Sequence, residues 1–222
     1  RCLSRGLGDV YKRQVMNKTN EPPAHWFQRI DEDPDEVFYA SPRFVEHIDK
    51  ATIDKLSEYY AEIIDEKTNV LDLMSSWISH LPSEIKLTRS SGLGMNEQEL
   101  RANNQLSDWC VHNLNTKPQL PYPADTFDYV LCAVSIQYLT APIQVLKSAL
   151  EVLRKRGRVV IAMSHRLFPT KAVSIFQHIA PQDRIKLVSS YLEIAGFDEV
   201  TALDRSPTYA DPLWIVTGLK VS

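Results

Sequence analysis

LPYPADTFDYVLCAVSIQYLTAPIQVLKSALEVLRKRGRVVIAM, residues 120–163, carries three structural signals in a row. TFDYVLCAVSI (126–136) is a β-branched and aromatic run that reads as a buried strand. Pro142, Val145, Leu146, Ala149, Leu150 and Leu153 then recur at helical spacing, and Gly157 stands where a C-terminal cap is expected. GRVVIAMS (157–164) returns to a strand pattern. A strand, a helix and a second strand in this order predict parallel strands joined by a crossover helix.

The same alternation extends outward in both directions. NVLDLM (69–74), IKLTR (85–89) and DWCVHNLN (108–115) read as three earlier strands. Ile53, Leu56, Tyr60, Ile63 and Ile64 mark an amphipathic helix from Ala51, closed by Asp65 to Thr68. Another helix starts at MNEQELRAN (95–103), where Asn96 and Glu99 resemble a capping box. Ile185, Val188, Leu192 and Ala195 mark a further helix that Gly196 stops. FDEVTALD (197–204) and LWIVTGLKV (213–221) follow with no helix between them, which predicts an antiparallel C-terminal β-hairpin. The expected fold is α/β: a mostly parallel seven-stranded sheet with helices on both faces. A dinucleotide dehydrogenase is disfavoured, because NVLDLMSSWISHLP (69–82) has no glycine where GxGxxG would follow strand one.

RCLSRGLGDVYKRQ (1–14) does not read as protein. Back-translated, it fits a transposase adaptor from shotgun sequencing, so it is set aside as a cloning scar, with Met16 as the expected native start. Residues 15–50, rich in proline, acids and aromatics, form an expected arm or cap over the active site, and 51–222 the main domain. Of 25 basic and 28 acidic residues in the whole chain, setting 1–14 aside removes four basic (Arg1, Arg5, Lys12, Arg13) and one acidic (Asp9). That leaves 21 against 27 and a net charge of −6. An acidic chain without a Lys/Arg block gives no footprint for nucleic acid or an anionic membrane. The apolar runs fall short of the roughly 18 residues of a membrane span. Cys110 and Cys132 have no metal-ligand spacing and fit a reducing compartment, and with no secretory signal visible the expected location is cytoplasmic. Neither GxxxxGK[ST] nor GxSxG occurs, which argues against a P-loop NTPase and an α/β serine hydrolase.

The 120–163 block resembles the LPF…FDVV…hLxxP…hxRVLKPGGxhhI region of class I S-adenosylmethionine-dependent methyltransferases, with Arg154-Lys155-Arg156-Gly157 replacing the usual proline and glycines. NVLDL resembles that family's motif I strand, and GLGMNEQELRAN (92–103) its segment after strand two. FYASPRFVEHID, VLDLMSSWISHLP and GMNEQEL resemble a subgroup of bacterial and plant proteins with a glycine-poor motif I. The resemblance implies a Rossmann-like class I methyltransferase fold, S-adenosylmethionine as cofactor with S-adenosylhomocysteine as product, and a small-molecule substrate. A monomer or homodimer is expected. The alternative is a catalytically inactive protein of the same fold that binds a ligand or a partner.

The resemblance also implies a cofactor site. Asp72 is the retained acid of motif I, and Met74, Ser75 and Ser76 stand where glycines cradle the methionine end. Serines can keep much of that closeness and add hydroxyl donors along a different path; the same residues can instead form a capped strand-to-helix turn. After strand two, Gly94, Met95 and Asn96 replace the ribose-binding acid, and Asn96 can equally be a plain helix cap. After strand three, Asn113 with Leu114 falls at the adenine position, where an amide oxygen can accept from the adenine amine. Ser135 follows strand four. Loss of two carboxylates removes charge-assisted hydrogen bonds and predicts weak cofactor affinity.

Methyl transfer from a sulfonium needs alignment, and a base only where the acceptor must lose a proton. His47, Tyr138 and His165 are the catalytic candidates, with His80 a further histidine to weigh. Tyr39, Arg43, Gln137 and Arg166 are the substrate-binding candidates. Arg43 can clamp a carboxylate or phosphate or tie the arm down by a salt bridge, and Tyr138 can be a substrate contact or a core aromatic. No metal site is expected.

Overall fold

The computed structural model describes residues 22–222, so the expected adaptor segment and Met16 lie outside the described residues. Seven strands form one sheet in the order β3-β2-β1-β4-β5-β7-β6. They are β1 (Asn69–Leu73), β2 (Arg89–Gly94), β3 (Asp108–Val111), β4 (Phe127–Ala133), β5 (Leu153–Met163), β6 (Asp198–Asp204) and β7 (Trp214–Leu219). The first five pair in parallel. β7 runs antiparallel to both β5 and β6, as the two consecutive C-terminal strand patterns predict.

Among the described residues six α-helices accompany the sheet: α1 (Asp35–Phe38), α2 (Lys50–Ile63), α3 (Glu97–Ala102), α4 (Pro142–Val152), α5 (Ser174–His178) and α6 (Pro181–Ala195). α4 and α6 begin with proline, whose fixed φ suits the first helical position and whose missing N–H costs nothing there. Asp49 caps α2 by accepting from the Thr52 amide. Gly196 ends α6 at φ +101°, a left-handed conformation that suits glycine.

The central strands β1, β2, β4, β5 and β7 are largely buried, the edge strands β3 and β6 are not, and the two-residue period of the central strands sorts the core. Leu71, Leu73, Cys132, Val159, Ile161, Met163 and Val216 pack with Val145, Leu146 and Ala149 of α4 and Leu187, Val188, Tyr191 and Leu192 of α6. Val70, Leu131, Val160, Ala162 and Ile215 point the other way, onto Leu56, Tyr59 and Tyr60 of α2. Asp72 lies two residues on from Val70 and so shares the α2 face.

Three local expectations are corrected. The second strand is RSSGLG (89–94), and IKLT (85–88) is irregular. Its small residues are required by packing: a Cβ on Gly92 would lie 2.4 Å from a Leu106 methyl carbon, and one on Gly94 would lie 2.2 Å from the Ser75 carbonyl oxygen. Gly157 does not cap a helix. α4 stops at Val152, and Arg154 to Gly157 bulge out of β5 between the Phe127–Leu153 and Tyr129–Arg158 pairs, where a Cβ on Gly157 would lie 2.8 Å from the Arg154 carbonyl oxygen. Finally, no helix follows β1. Residues 74–88 cross to β2 as an irregular segment, so Ser75 and Ser76 cap nothing.

Candidate functional site

A cavity of about 330 Å³ opens at the carboxyl ends of β1, β2 and β4, where open α/β sheets place their ligands. Its volume falls at the lower end of small-molecule sites. The segments covering it are the arm, through Tyr39, Arg43, Glu46 and His47, and the stretch after β5, through Arg166, Leu167 and Phe168.

Asp72 forms the floor. It is 4% exposed, and its carboxylate accepts from the Ser79 hydroxyl at 2.6 Å. Burial pushes its pKa up to about 6, with the hydroxyls of Ser75 and Ser79 pulling the other way. No ion pair to Asp72 occurs among the described residues. A buried carboxylate held only by neutral donors is costly to ionise until a cation reaches it.

The turn above Asp72 keeps a glycine-like backbone without glycine. Met74 has φ +57°, a conformation that costs a non-glycine residue on the order of 1–2 kcal/mol. The close approach that a motif I glycine would permit is supplied from the neighbouring strand, because Gly94 leaves room for the Ser75 carbonyl. The Ser75 amide donates to the Leu93 carbonyl, and the Ser76 hydroxyl donates to Glu99 at 2.7 Å. Two further cavity residues, His80 (φ +57°) and Val134 (φ +51°), share this left-handed strain. Such strain persists where surrounding structure over-determines it, and it clusters at functional sites.

Met74, Ser75, Ser76, Gly94, Met95, Asn96, Asn113, Leu114 and Ser135 all line the cavity, but two amides are already engaged. Asn96 accepts from the amides of Gln98 and Glu99 and donates to the carbonyls of Tyr39 and Ala40. It is therefore a helix cap and an arm anchor, with no polar atom spare for a ribose. Asn113 donates to Glu36 at 2.8 Å and accepts from the Asn115 amide, which leaves one lone pair on its oxygen.

Of the catalytic and substrate candidates, Tyr39, Arg43, His47, Tyr138 and Arg166 line the cavity, as does His80. His165 and Gln137 do not. His165 stands 3.4 Å from Asp211, nearly half exposed. Gln137 is buried and donates to the carbonyls of Val134 and Arg166, so it ties the turn after β4 to the covering segment. Arg166 is engaged by Asp211 at 3.0 Å, and the Tyr138 hydroxyl accepts from the Phe168 amide. Crowding around His47 lowers its pKa, partly opposed by Glu99. Burial takes that of His80 down to about 4.

Three partners were not anticipated from sequence. Glu99, 8% exposed, restores an acid after β2 and joins the Ser76 hydroxyl to the Arg43 amide; its i+3 spacing from Asn96 was the available signal. Asn103 donates to the Ser76 carbonyl and the Ser79 hydroxyl. Lys171, fully buried, donates to the Asp33 carbonyl and pairs with Asp31 and Asp35. Among the described residues no three metal-ligating side chains cluster, and no helix is long and apolar enough to cross a membrane.

The profile of a methyltransferase domain family matches residues 87–161. Among solved structures, a Haloferax volcanii complex of the Trm112 methyltransferase activator with a methyltransferase aligns at TM-score 0.61 and 12% identity, over 78% of this chain and 91% of that one. The [4+2]-cyclase SpnF aligns at TM-score 0.61 and 16% identity, over 98% and 97%. A Haemonchus contortus phosphoethanolamine N-methyltransferase, solved with phosphomonomethylethanolamine and S-adenosylhomocysteine, aligns at TM-score 0.56 and 12% identity, over 78% and 52%. No curated protein matches in sequence. Sheet order, cavity position and domain match together define a class I S-adenosylmethionine-dependent methyltransferase fold. The turn after β1 in this chain is built on Met74, Ser75 and Ser76, with no glycine.

Proposed function

We propose that the chain is an S-adenosylmethionine-dependent methyltransferase acting on a small molecule. The observation that carries this is Asp72, a buried carboxylate with no cationic partner among the described residues, at the floor of a cavity on the strand ends. Its environment suits a ligand bearing positive charge, and the sulfonium and ammonium of the cofactor supply it. Asp72, the Met74–Ser76 turn and Glu99 would hold the methionine and ribose end, and Met95, Asn113 and Leu114 the adenine.

When bound, the cofactor supplies an electrophilic methyl group. The chain's residues then have to align the acceptor and keep water out. Residues 22–50 act as the cap in this reading, with Tyr39, Arg43 and His47 facing the acceptor and Phe168 closing the opposite side. His47 is the better-placed base of the two histidines, because Glu99 partly offsets the lowering of its pKa by burial. His80, with a pKa of about 4, is a weak base there. Tyr138 has its pKa raised by burial, stays a phenol and serves as a hydrogen-bond donor.

Calorimetric titration with S-adenosylmethionine tests the proposal: saturable binding that Asp72→Ala weakens is the expected result. Absence of binding at millimolar cofactor would defeat it. The second reading, a protein of the same fold that binds a ligand or a partner without catalysis, is favoured by the glycine-free turn after β1 and predicts no methyl transfer from the cofactor.

A further inference from the structure

One end of the cavity gathers cationic and imidazole side chains that lack acidic partners. The Arg43 guanidinium sits 4.4 Å from the centre of the Phe38 ring and 5.7 Å from that of Phe168, and its Nη2 donates to the Phe38 carbonyl. Its Nη1 is buried with no hydrogen-bond partner, and no carboxylate lies within ion-pair distance of it among the described residues. From the segment after β1, His80 also lines the cavity and presents a buried Nδ1 that lacks a partner. Arg43 acts electrostatically on His47, and His47 in turn on His80.

The acids in the same wall are accounted for. Asp35 is held by Arg29, Lys171 and Asn115, and Glu99 by the Arg43 amide and the Ser76 hydroxyl. Glu46 is exposed at the rim. Leaving a buried donor unmet costs about 1–3 kcal/mol, more for a charged group. Two such atoms on residues lining one cavity, one of them on a cation with no carboxylate partner, are poorly explained by packing alone.

We infer that this end of the cavity is an oxyanion subsite for the methyl acceptor. The acceptor is then a small molecule bearing a carboxylate or a phosphate, bound through Arg43 and the Nδ1–H tautomer of His80, with its apolar body against Tyr39, Tyr138 and Phe168. Arginine pairs its planar fork with either anion. Both nitrogens are buried in the unliganded protein, so binding requires side-chain rotations of the kind common at binding sites. The inference rests on the methyltransferase reading for the identity of its ligand as acceptor, but the anion site is testable apart from it.

Benzoate, phenyl phosphate and the neutral isostere benzamide are titrated into the S-adenosylhomocysteine-loaded protein and into the protein alone. We expect benzoate or phenyl phosphate to bind saturably and about tenfold or more tighter than benzamide, a difference of roughly 1.4 kcal/mol. The tighter of the two anions identifies the headgroup. Arg43→Gln should lose that preference while its affinity for S-adenosylhomocysteine stays within about twofold, a change of under 0.5 kcal/mol. Equal binding of benzamide, no binding of either anion, or an unchanged preference in Arg43→Gln would overturn the inference. So would a parallel loss of S-adenosylhomocysteine affinity, which would assign the arginine to the cofactor's own carboxylate. The wild-type comparison of benzoate with benzamide stands even if the variant does not fold. Failure of the protein to bind cofactor counts against the proposed function and leaves the anion titration of the protein alone to decide this point.

Discussion

The two walls of the cavity are held by different mixtures of contacts. On the strand side, β1, β4 and β5 are packed between α2 on one face and α4 with α6 on the other, so position is set by apolar burial. On the covering side, the arm and the stretch after β5 send Trp26 and Phe176 into the main core and set Phe38 against Phe168, and polar contacts and an ion cluster add to these. The Asp31 amide donates to Thr170, the Ser174 amide to Gln28, and Lys171 pairs with Asp31 and Asp35 while Arg29 donates to Asp35 at 2.6 Å. Apolar packing degrades gradually when trimmed. A buried ion cluster fails when one member is lost, because the remaining charge stays buried without compensation.

Lys171→Met is therefore the largest expected effect. It should loosen the arm by about 3–5 kcal/mol, read as rapid proteolysis within residues 22–49 and a drop in melting temperature. If proteolysis and melting are unchanged, the covering side is not held by its ions. Asp72→Asn comes next and tests the floor through pH. The folded pKa of about 6 lies above the ordinary 3.8, so the folded state holds the proton more tightly. That contribution is complete below about pH 4 and is lost as pH rises through 6, amounting to roughly 3 kcal/mol by linkage. Urea unfolding at pH 4 and pH 8 should show the wild type losing stability that Asp72→Asn keeps. Cofactor affinity should move the opposite way, strengthening as pH rises through 6 in the wild type and staying flat in the variant.

Gly94→Ala places a Cβ 2.2 Å from the Ser75 carbonyl oxygen, so the turn after β1 must move. A cost of about 1–3 kcal/mol is expected, as for other overpacked sites, with a matching loss of cofactor affinity by calorimetry. The smallest effect separates Met74→Gly from Met74→Ala. Both remove the side chain and only glycine relieves φ +57°, so the glycine variant should be more stable by about 1 kcal/mol in the same unfolding assay. Equal stability would show that this turn relaxes without strain.

The contrast also explains what could be read from the residues alone. The strand side was legible because parallel buried strands and amphipathic helices write long periodic patterns, as in TFDYVLCAVSI and the face from Pro142 to Leu153. β2 was misplaced because RSSGLG has neither β-branched residues nor alternation; its glycines answer to Leu106 and Ser75, contacts that no local pattern encodes. Gly157 looked like a cap because a bulge and a helix end both call for a residue without Cβ. The covering side was nearly silent. Nothing around Lys171 in HRLFPTKAVSIF announces that it will meet Asp31 and Asp35, some 140 residues earlier, and a solvated lysine is the ordinary expectation. Glu99 was half legible, visible as a capping-box partner while its actual bonds run to Ser76 and Arg43.

The sheet order carries a last consequence, for folding. β3, β2 and β1 form one run and β4, β5, β7 and β6 the other, and the two meet along a single ladder that pairs Val70 with Tyr129 and Leu73 with Cys132. That ladder closes a loop of nearly sixty residues, the kind of non-local pairing that is slow to form. The cavity straddles it, with Asp72 and Met74 on one side and Ala133 to Ser135 on the other. Neither run holds the binding site alone, so a ligand seated there acts as a clasp on the seam, and its binding energy adds to the stability of the joined state only.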